Sequence, residues 1–341
     1  MNIRERIEKN EEVTLIAEAC HSKDSRGRER LEPLNDFRTC FMIDRDRIIH
    51  SKSFRRLKHK TQVYIRTAGD HYRTRLTHTL EVSQIARTIA RGLGINEDLV
   101  EAITLAHDIG HVAFAHNGEE ILNHLLPGGF RHNEQSVRVL RYLERDGRGL
   151  NLSQEVLEGV LLHSGLGGRE ATKASLEAQV AKYADKIAYV NHDIDDSIRA
   201  GMLDVKEIPS EYFEVLGETH AKRIDTLVRN IVMSTQENVS KGTLEVALSP
   251  RVDEALMGLR SFMFKNIYLG EAQAKEKDKA QFIISNLFSY YMNHESALPE
   301  FYREISLREG KERAVADYIA GMTDDFAMTT FKSYFIPGFT L

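Results

Sequence analysis

Proline is scarce in this chain, and its placement limits the fold more than any other feature. Six prolines occur in 341 residues, with none between Pro33 and Pro127 and none between Pro127 and Pro209. Proline removes a backbone donor and clashes with the preceding helical turn, so two long stretches are free of the strongest helix breaker. Leu, Ala, Glu, Arg and Lys, all good helix formers, are abundant. The expectation is an all-α chain.

The bulk properties exclude several classes. Hydrophobic residues make up 42% of the chain, as in an ordinary globular protein. The formal net charge of −5 gives no global case for a nucleic-acid binder. Two cysteines, Cys20 and Cys40, make no disulfide framework and lack zinc-ribbon spacing, so a reducing cytoplasm is expected. The opening MNIRERIEKNEEV is charged where a signal peptide is apolar. No apolar run approaches the ~20 residues of a membrane span.

Residues 21–36 are polar with Gly and Pro and are expected to be a surface loop. From Arg75, the spacing of Leu76, Leu80, Ile85, Ile89 and Leu93 predicts a helix that Gly92 and Gly94 end. Asn96 suits the N-cap of the next helix, with Glu97 and Asp98 favourable in its first turn. That helix carries Leu99, Ile103 and Ala106 on its apolar stripe and delivers His107 and Asp108 at its end. Segments 127–129, 146–149 and 164–169 are expected loops; the last is Gly-rich but lacks the phosphate-cradling P-loop pattern. A long helix is predicted from about Lys173 to Arg199, with further helices near 211–240, 251–268, 280–295 and 311–328. EAQAKEKDKAQ, 271–281, suits a linker or an exposed helical turn.

The chemistry concentrates in LAHDIGHVAFAH, 105–116, where His107, Asp108, His111 and His116 sit among Ala, Ile, Val and Phe. Burying titratable groups is costly unless something satisfies them, which points to a metal, a proton-transfer site, or both. On a helical wheel the 182–198 segment places Ile187, Val190, Ile194 and Ile198 on one face. Asp185, Tyr189, His192, Asp193 and Asp196 lie near the opposite face; a solvated polar side is the plain alternative, but the stripe lacks long Lys and Glu side chains. Arg55, Arg56, Lys58, Lys60, Arg66, Arg73 and Arg75 form a local basic patch, either a solvated surface or an anion site. Arg75 stands three residues before His78, on the same helix face. Imidazole plus carboxylate ligation suits Mn, Fe, Zn, Ni or Co, and Mg where waters complete the shell. Adjacent His107 and Asp108 can share one ion; His78 and an aspartate from the stripe are candidates to complete it.

The pattern His78, His107-Asp108 and a distal Asp resembles the H…HD…D signature of the HD-domain superfamily of metal phosphohydrolases. FRRLKHKTQV, TRLTHTLEV, LAHDIGHVAFAHNGEE, FRHNEQS and YADKIAYVNHDIDD resemble, in order and spacing, the deoxyguanosine triphosphate triphosphohydrolase-like family, over roughly residues 36–225. The resemblance implies an HD helical-bundle core at about 54–225 and a C-terminal helical region at about 226–341, within one α-helical domain. It implies hydrolysis of deoxynucleoside triphosphates, dGTP among them, to deoxynucleoside and tripolyphosphate, with a divalent metal: Mn, Mg, Fe, Ni, Co or Zn. The implied ligands are His78, His107, Asp108 and Asp185; Asp185 is preferred over Asp193 because Lys186 and Tyr189 follow it in the D-K-x-x-Y arrangement. Asp193 and Gln62 are then implied to face the sugar 3′-hydroxyl, Tyr189 to pack against the deoxyribose, and Arg75 and Lys186 to hold phosphate oxygens. His116 with Glu119 resembles the family's catalytic pair, and His111 and His132 its other active-site histidines. The family also implies a symmetric homo-oligomer, often a hexamer, and a dNTP or single-stranded DNA effector. The competing functions are another HD-superfamily phosphohydrolase, either a nucleotide phosphatase or a phosphodiesterase, and a dNTP-binding sensor without turnover.

Overall fold

The computed structural model describes residues 1–62, 73–164, 174–268 and 271–338. Sixteen α-helices occupy them, and the only extended pairings among the described residues are two isolated bridges, Arg28 with Ser153 and Thr61 with Thr74. The all-α expectation holds. In chain order the helices are α1 (Ile3–Thr14), α2 (Cys40–Ile49), α3 (Lys52–Arg56), α4 (Arg75–Leu93), α5 (Glu97–Ala106), α6 (Ala115–Leu125), α7 (His132–Arg138) and α8 (Gln154–Leu162). They continue as α9 (Leu176–Arg199), α10 (Ser210–Leu216), α11 (His220–Ser240), α12 (Pro250–Met263), α13 (Glu271–Asn293), α14 (Glu300–Glu309), α15 (Lys311–Ala320) and α16 (Asp324–Phe335). No described helix is long and apolar enough to cross a membrane.

The chain folds into two compact units, each assembled from separated segments. The first comprises Met1–His50, His78–His107 and Leu150–Gly270. Its centre is α5, where Leu99, Val100, Ile103 and Ala106 are fully buried and meet α2, α8 and α9. Asn96 caps α5 as its side chain accepts from the Leu99 N–H at 3.1 Å. Ser175 caps α9 in the same way through the Ala178 N–H. Of the apolar positions in the α4 pattern, Ile85, Ile89 and Leu93 are buried but Leu80 is exposed, so the stripe is narrower than the spacing implied.

The second unit comprises Ser51–Thr77, Asp108–Gly149 and Glu271–Leu341. Its core joins Val112, Phe114 and Leu122 to Ile284, Leu287 and Tyr291 of α13, Val315 and Ile319 of α15, and Ala327 of α16. The charged segment 271–281 is the first half of α13, a helix whose later turns enter this core.

The C-terminal helices differ from the sequence expectation at their breaks. The 211–240 stretch is two helices, because Gly217 adopts φ 108° and ends α10. The 311–328 stretch also divides, with Thr323 capping α16. Helices α1, α2, α3, α6, α7, α8 and α14 lie outside the stretches for which the sequence predicts a helix. Arg66 and most of the Gly-rich 164–169 segment lie outside the described residues.

Candidate active site

In the first unit, three helices converge on one carboxylate. Asp185 Oδ1, on α9, lies 3.1 Å from His78 Nε2 on α4 and 3.7 Å from His107 Nε2 at the end of α5. Both histidines are almost wholly buried. His107 Nδ1 sits 2.6 Å from the Thr104 carbonyl. A carbonyl can only accept, so Nδ1 carries the proton and Nε2 presents its lone pair. This outer hydrogen bond orients the ring as metal-bound histidines require. His163 packs edge-on against His107 with centroids 5.0 Å apart. Two imidazoles and a carboxylate are the donor types that divalent transition ions take, and the implied partner Asp108 is the next residue along the chain.

The polar face of α9 is not a solvated surface. His192, Asp193 and Asp196 are buried and Asp185 and Tyr189 half-buried, whereas Ile198, expected on the apolar face, is exposed near the end of the helix. Burial lowers the pKa of the Lys186 ammonium, which approaches Met257 Sδ at 3.9 Å. Burial raises the Tyr189 hydroxyl to about 12, although Arg260 Nε donates to it. No motif singled out Arg260; its tie to Tyr189 exists only once α12 packs on α9.

The second unit gathers the other predicted residues. Ligand-capable atoms of Asp108, His111 and His132 lie within 4.8 Å of one another, as do those of His111, His116 and Glu119. Asp108 Oδ2 pairs with Arg75 Nη1 at 2.6 Å, and its Oδ1 lies 3.3 Å from His111 Nε2. The basic patch therefore divides: Arg55, Arg56 and Lys58 face solvent, whereas Arg75 is 1% exposed and Lys60 is 3% exposed. The Lys60 ammonium donates to the carbonyls of His111 and Ala320. Burial, reinforced by Arg56 and Arg75, pulls that amine down to about 7. Gln62 Oε1, Arg75 Nε and His111 Nδ1 are buried without a hydrogen-bond partner among the described residues.

Glu119 is shared unequally. His132 Nδ1 lies 2.9 Å from its Oε1 and the His132 backbone N–H donates to the same oxygen at 2.7 Å. His116 Nδ1 is 3.7 Å away and its side chain is 74% exposed. The sequence paired Glu119 with His116; the tighter partner is His132. Burial works to raise the Glu119 carboxyl, but the imidazoles of His116 and His132 outweigh it and hold it well below the usual range. His111, stacked on His132 at 4.0 Å, is pushed well below its ordinary value by burial and by Arg75. It is a neutral imidazole at neutral pH.

Local geometry explains this crowding. A Cβ on Gly110 would lie 2.2 Å from Ser136 N and 2.5 Å from the His132 carbonyl oxygen. Glycine here permits the post-Asp108 turn to press directly on α7. Phe114, the N-cap of α6, and Ala115, its first residue, then take φ of 65° and 58°. Left-handed backbone at residues bearing Cβ costs of order 1–3 kcal/mol each and collects at functional sites.

An HD domain model matches residues 75–190, and a phosphohydrolase-associated domain model matches 246–333. A deoxyguanosinetriphosphate triphosphohydrolase-like protein of Clostridium tetani is 56% identical, covering 99% of this chain and 97% of its own. The chain belongs to the deoxyguanosinetriphosphate triphosphohydrolase-like family. A family member from Clostridium perfringens is 55% identical with both chains fully covered, and one from Caldanaerobacter subterraneus is 52% identical over 99% of this chain and 97% of its own. The chain is thus an HD-domain phosphohydrolase by family, with a buried His/Asp group suited to a divalent ion.

Proposed function

We propose that the chain hydrolyses deoxynucleoside triphosphates, dGTP among them, to deoxynucleoside and tripolyphosphate. The observation that carries this reading is the convergence of His78 and His107 on Asp185 in a chain whose relatives are named deoxyguanosinetriphosphate triphosphohydrolase-like. His78, His107, Asp108 and Asp185 would hold a divalent ion, which when bound would supply Lewis-acid polarisation of the α-phosphate and lower the pKa of a water.

The chain's own residues do the rest. Arg75 and Lys186 take phosphate oxygens; the unmatched Nε of Arg75 is a ready donor for one. Gln62 and Asp193 hydrogen-bond the 3′-hydroxyl, and Tyr189 lies against the sugar where a 2′-hydroxyl would crowd it. Attack of water on the α-phosphorus forms one P–O bond and breaks the bond to O5′. The tripolyphosphate keeps the water oxygen, and O5′ leaves needing a proton.

Glu119 accepts from His132 Nδ1, so the doubly protonated His132 ring gives that proton from Nε2 and keeps the one on Nδ1. His116, more loosely held by Glu119, takes one from water. Imidazoles anchored on a carboxylate are suited to such transfers near neutral pH.

The test is to incubate the metal-reconstituted protein with each dNTP and with the mixture, and to resolve the products. Tripolyphosphate plus deoxynucleoside, lost in His107→Ala, is the expected result. Pyrophosphate or inorganic phosphate instead would replace this reading with another HD phosphohydrolase activity. Metal binding without turnover in any combination would replace it with a nucleotide sensor.

A further inference from the structure

We propose that Asp324, in the C-terminal region, is a positioning residue for the proton-transfer cluster. Its carboxylate ties the strained turn that launches His116 and Glu119 to the segment 60–62. The proposal rests on the functional reading above for its kinetic consequences, but its structural content stands on geometry alone.

Asp324 is the first residue of α16, after the N-cap Thr323, where the helix macrodipole favours a carboxylate. It is 6% exposed. Its Oδ1 accepts from the Phe114 N–H at 3.0 Å, and its Oδ2 accepts from the Thr61 N–H at 3.0 Å and from the Thr61 hydroxyl. Phe114, the N-cap of α6, opens a pair of left-handed residues completed by Ala115, a conformation that side chains with Cβ avoid. Such backbone persists where its surroundings over-determine it. Here the Phe114 ring is locked in the core and its N–H is locked on Asp324.

A second tie runs beside the first. Lys60 donates to the His111 carbonyl and, at 3.0 Å, to that of Ala320. Its own carbonyl accepts from the Arg75 N–H at 3.0 Å. Lys60, Thr61 and Gln62 are consecutive, so one short segment meets the base of α4, the turn before α6 and the start of α16. Asp324 is the only one of these groups that holds both the Thr61 and the Phe114 amides. An asparagine offers one acceptor oxygen where two backbone donors need one each.

The experiment uses the full-length protein with Asp324→Asn, and Thr61→Val as the gentler variant. Readouts are kcat and KM with a dNTP, metal content, melting temperature, and amide exchange over 110–120 compared with α9. Misplacing catalytic groups by about 1 Å costs on the order of a hundredfold, so we expect Asp324→Asn to lower kcat about ten- to a hundredfold with KM within about threefold. Metal content stays unchanged, and exchange quickens at Phe114–Glu119 but not in α9. Thr61→Val, which keeps both backbone bonds, lowers kcat a few-fold. Adding Ala115→Gly to Asp324→Asn recovers part of the loss, because glycine adopts the left-handed region without steric cost.

Unchanged kcat in the folded Asp324→Asn protein overturns the proposal. So does a loss accompanied by equally faster exchange throughout the chain, which marks a merely structural role. If Asp324→Asn does not fold, an unchanged kcat and unchanged exchange in Thr61→Val overturn it. If the wild-type protein hydrolyses no dNTP, the functional reading fails by itself. Exchange at Phe114–Glu119 then decides the tie: local acceleration supports it and no change overturns it.

Discussion

The Asp185 cluster and the Glu119 cluster both set imidazoles against a carboxylate, but they are held by different means. His78, His107 and Asp185 project from three regular helices, α4, α5 and α9, and the latter two have side-chain N-caps. Each position follows from the helix that carries it. His111, Glu119 and His132 hang on a tight turn, a strained pair and the short helix α7. Their support comes from remote carboxylates. Asp324 holds the turn, and Asp317, 1% exposed, accepts from Gln135 and Arg138 of α7. Regular helices suit a site that must fix ligand geometry. A turn buttressed from elsewhere places groups that no single helix can bring together.

The sharpest way to break this comparison is to separate metal from chemistry. His107→Ala removes a ring that faces Asp185, and we expect loss of bound metal with turnover down at least about a thousandfold. Glu119→Gln leaves the Asp185 group intact, and we expect full metal content with kcat down on the order of a hundredfold, the range for general acid–base groups. Elemental analysis beside product analysis checks both. Loss of metal in Glu119→Gln would show that the two clusters are one energetic unit.

Glu119 also predicts a pH dependence of stability. Its folded pKa lies well below the ordinary value, so the stabilisation is full above the unfolded value of about 4.3 and is lost as pH falls through the lower folded one. Urea unfolding of wild type and Glu119→Gln should differ most above about pH 5 and converge as the medium becomes more acid than about pH 4. A difference that widens in acid would reverse the assigned sign.

A smaller effect is expected at Gly110. Gly110→Ala places a methyl group against Ser136 N and the His132 carbonyl. Overpacking of this kind costs about 1–3 kcal/mol, and kcat should fall with it because His132 rides on the displaced helix. A melting-temperature loss with unchanged kcat would show that the turn tolerates the shift without moving the imidazole.

The same contrast explains what could be learned before any coordinates. Local periodicity and caps make α4, α5 and the His107-Asp108 junction legible almost to the residue, and α9 at its C-terminal end, although it starts at Leu176 rather than about Lys173. Helical-wheel logic also found the α9 stripe, although whether it faced water was not decidable from one helix. Choosing Asp185 over Asp193 needed the family resemblance, because one α9 aspartate meets His78 only after α4 and α9 pack. The preference of Glu119 for His132 over His116 depends on how α7 meets the turn. Asp324, Asp317 and Arg260 bear no motif at all. Their roles come from contacts across roughly 70 to 260 residues of chain, which local sequence cannot encode.

Lys60 tests the buttressed cluster at its most delicate point. Its amine, buried against the His111 and Ala320 carbonyls, has a pKa of about 7 in the folded state, whereas an unfolded lysine titrates near 10.4. Between these values the unfolded chain holds the extra proton, so stability rises with pH across that window. Lys60→Met keeps the bulk but cannot titrate or donate. Its unfolding free energy should therefore climb less steeply than that of the wild type between about pH 7.5 and 9.5, when both are measured in urea at fixed ionic strength. Parallel slopes would mean that the wild-type ammonium stays charged on its two carbonyls. The Glu119 side would then be held by a permanent buried cation rather than by a neutral amine.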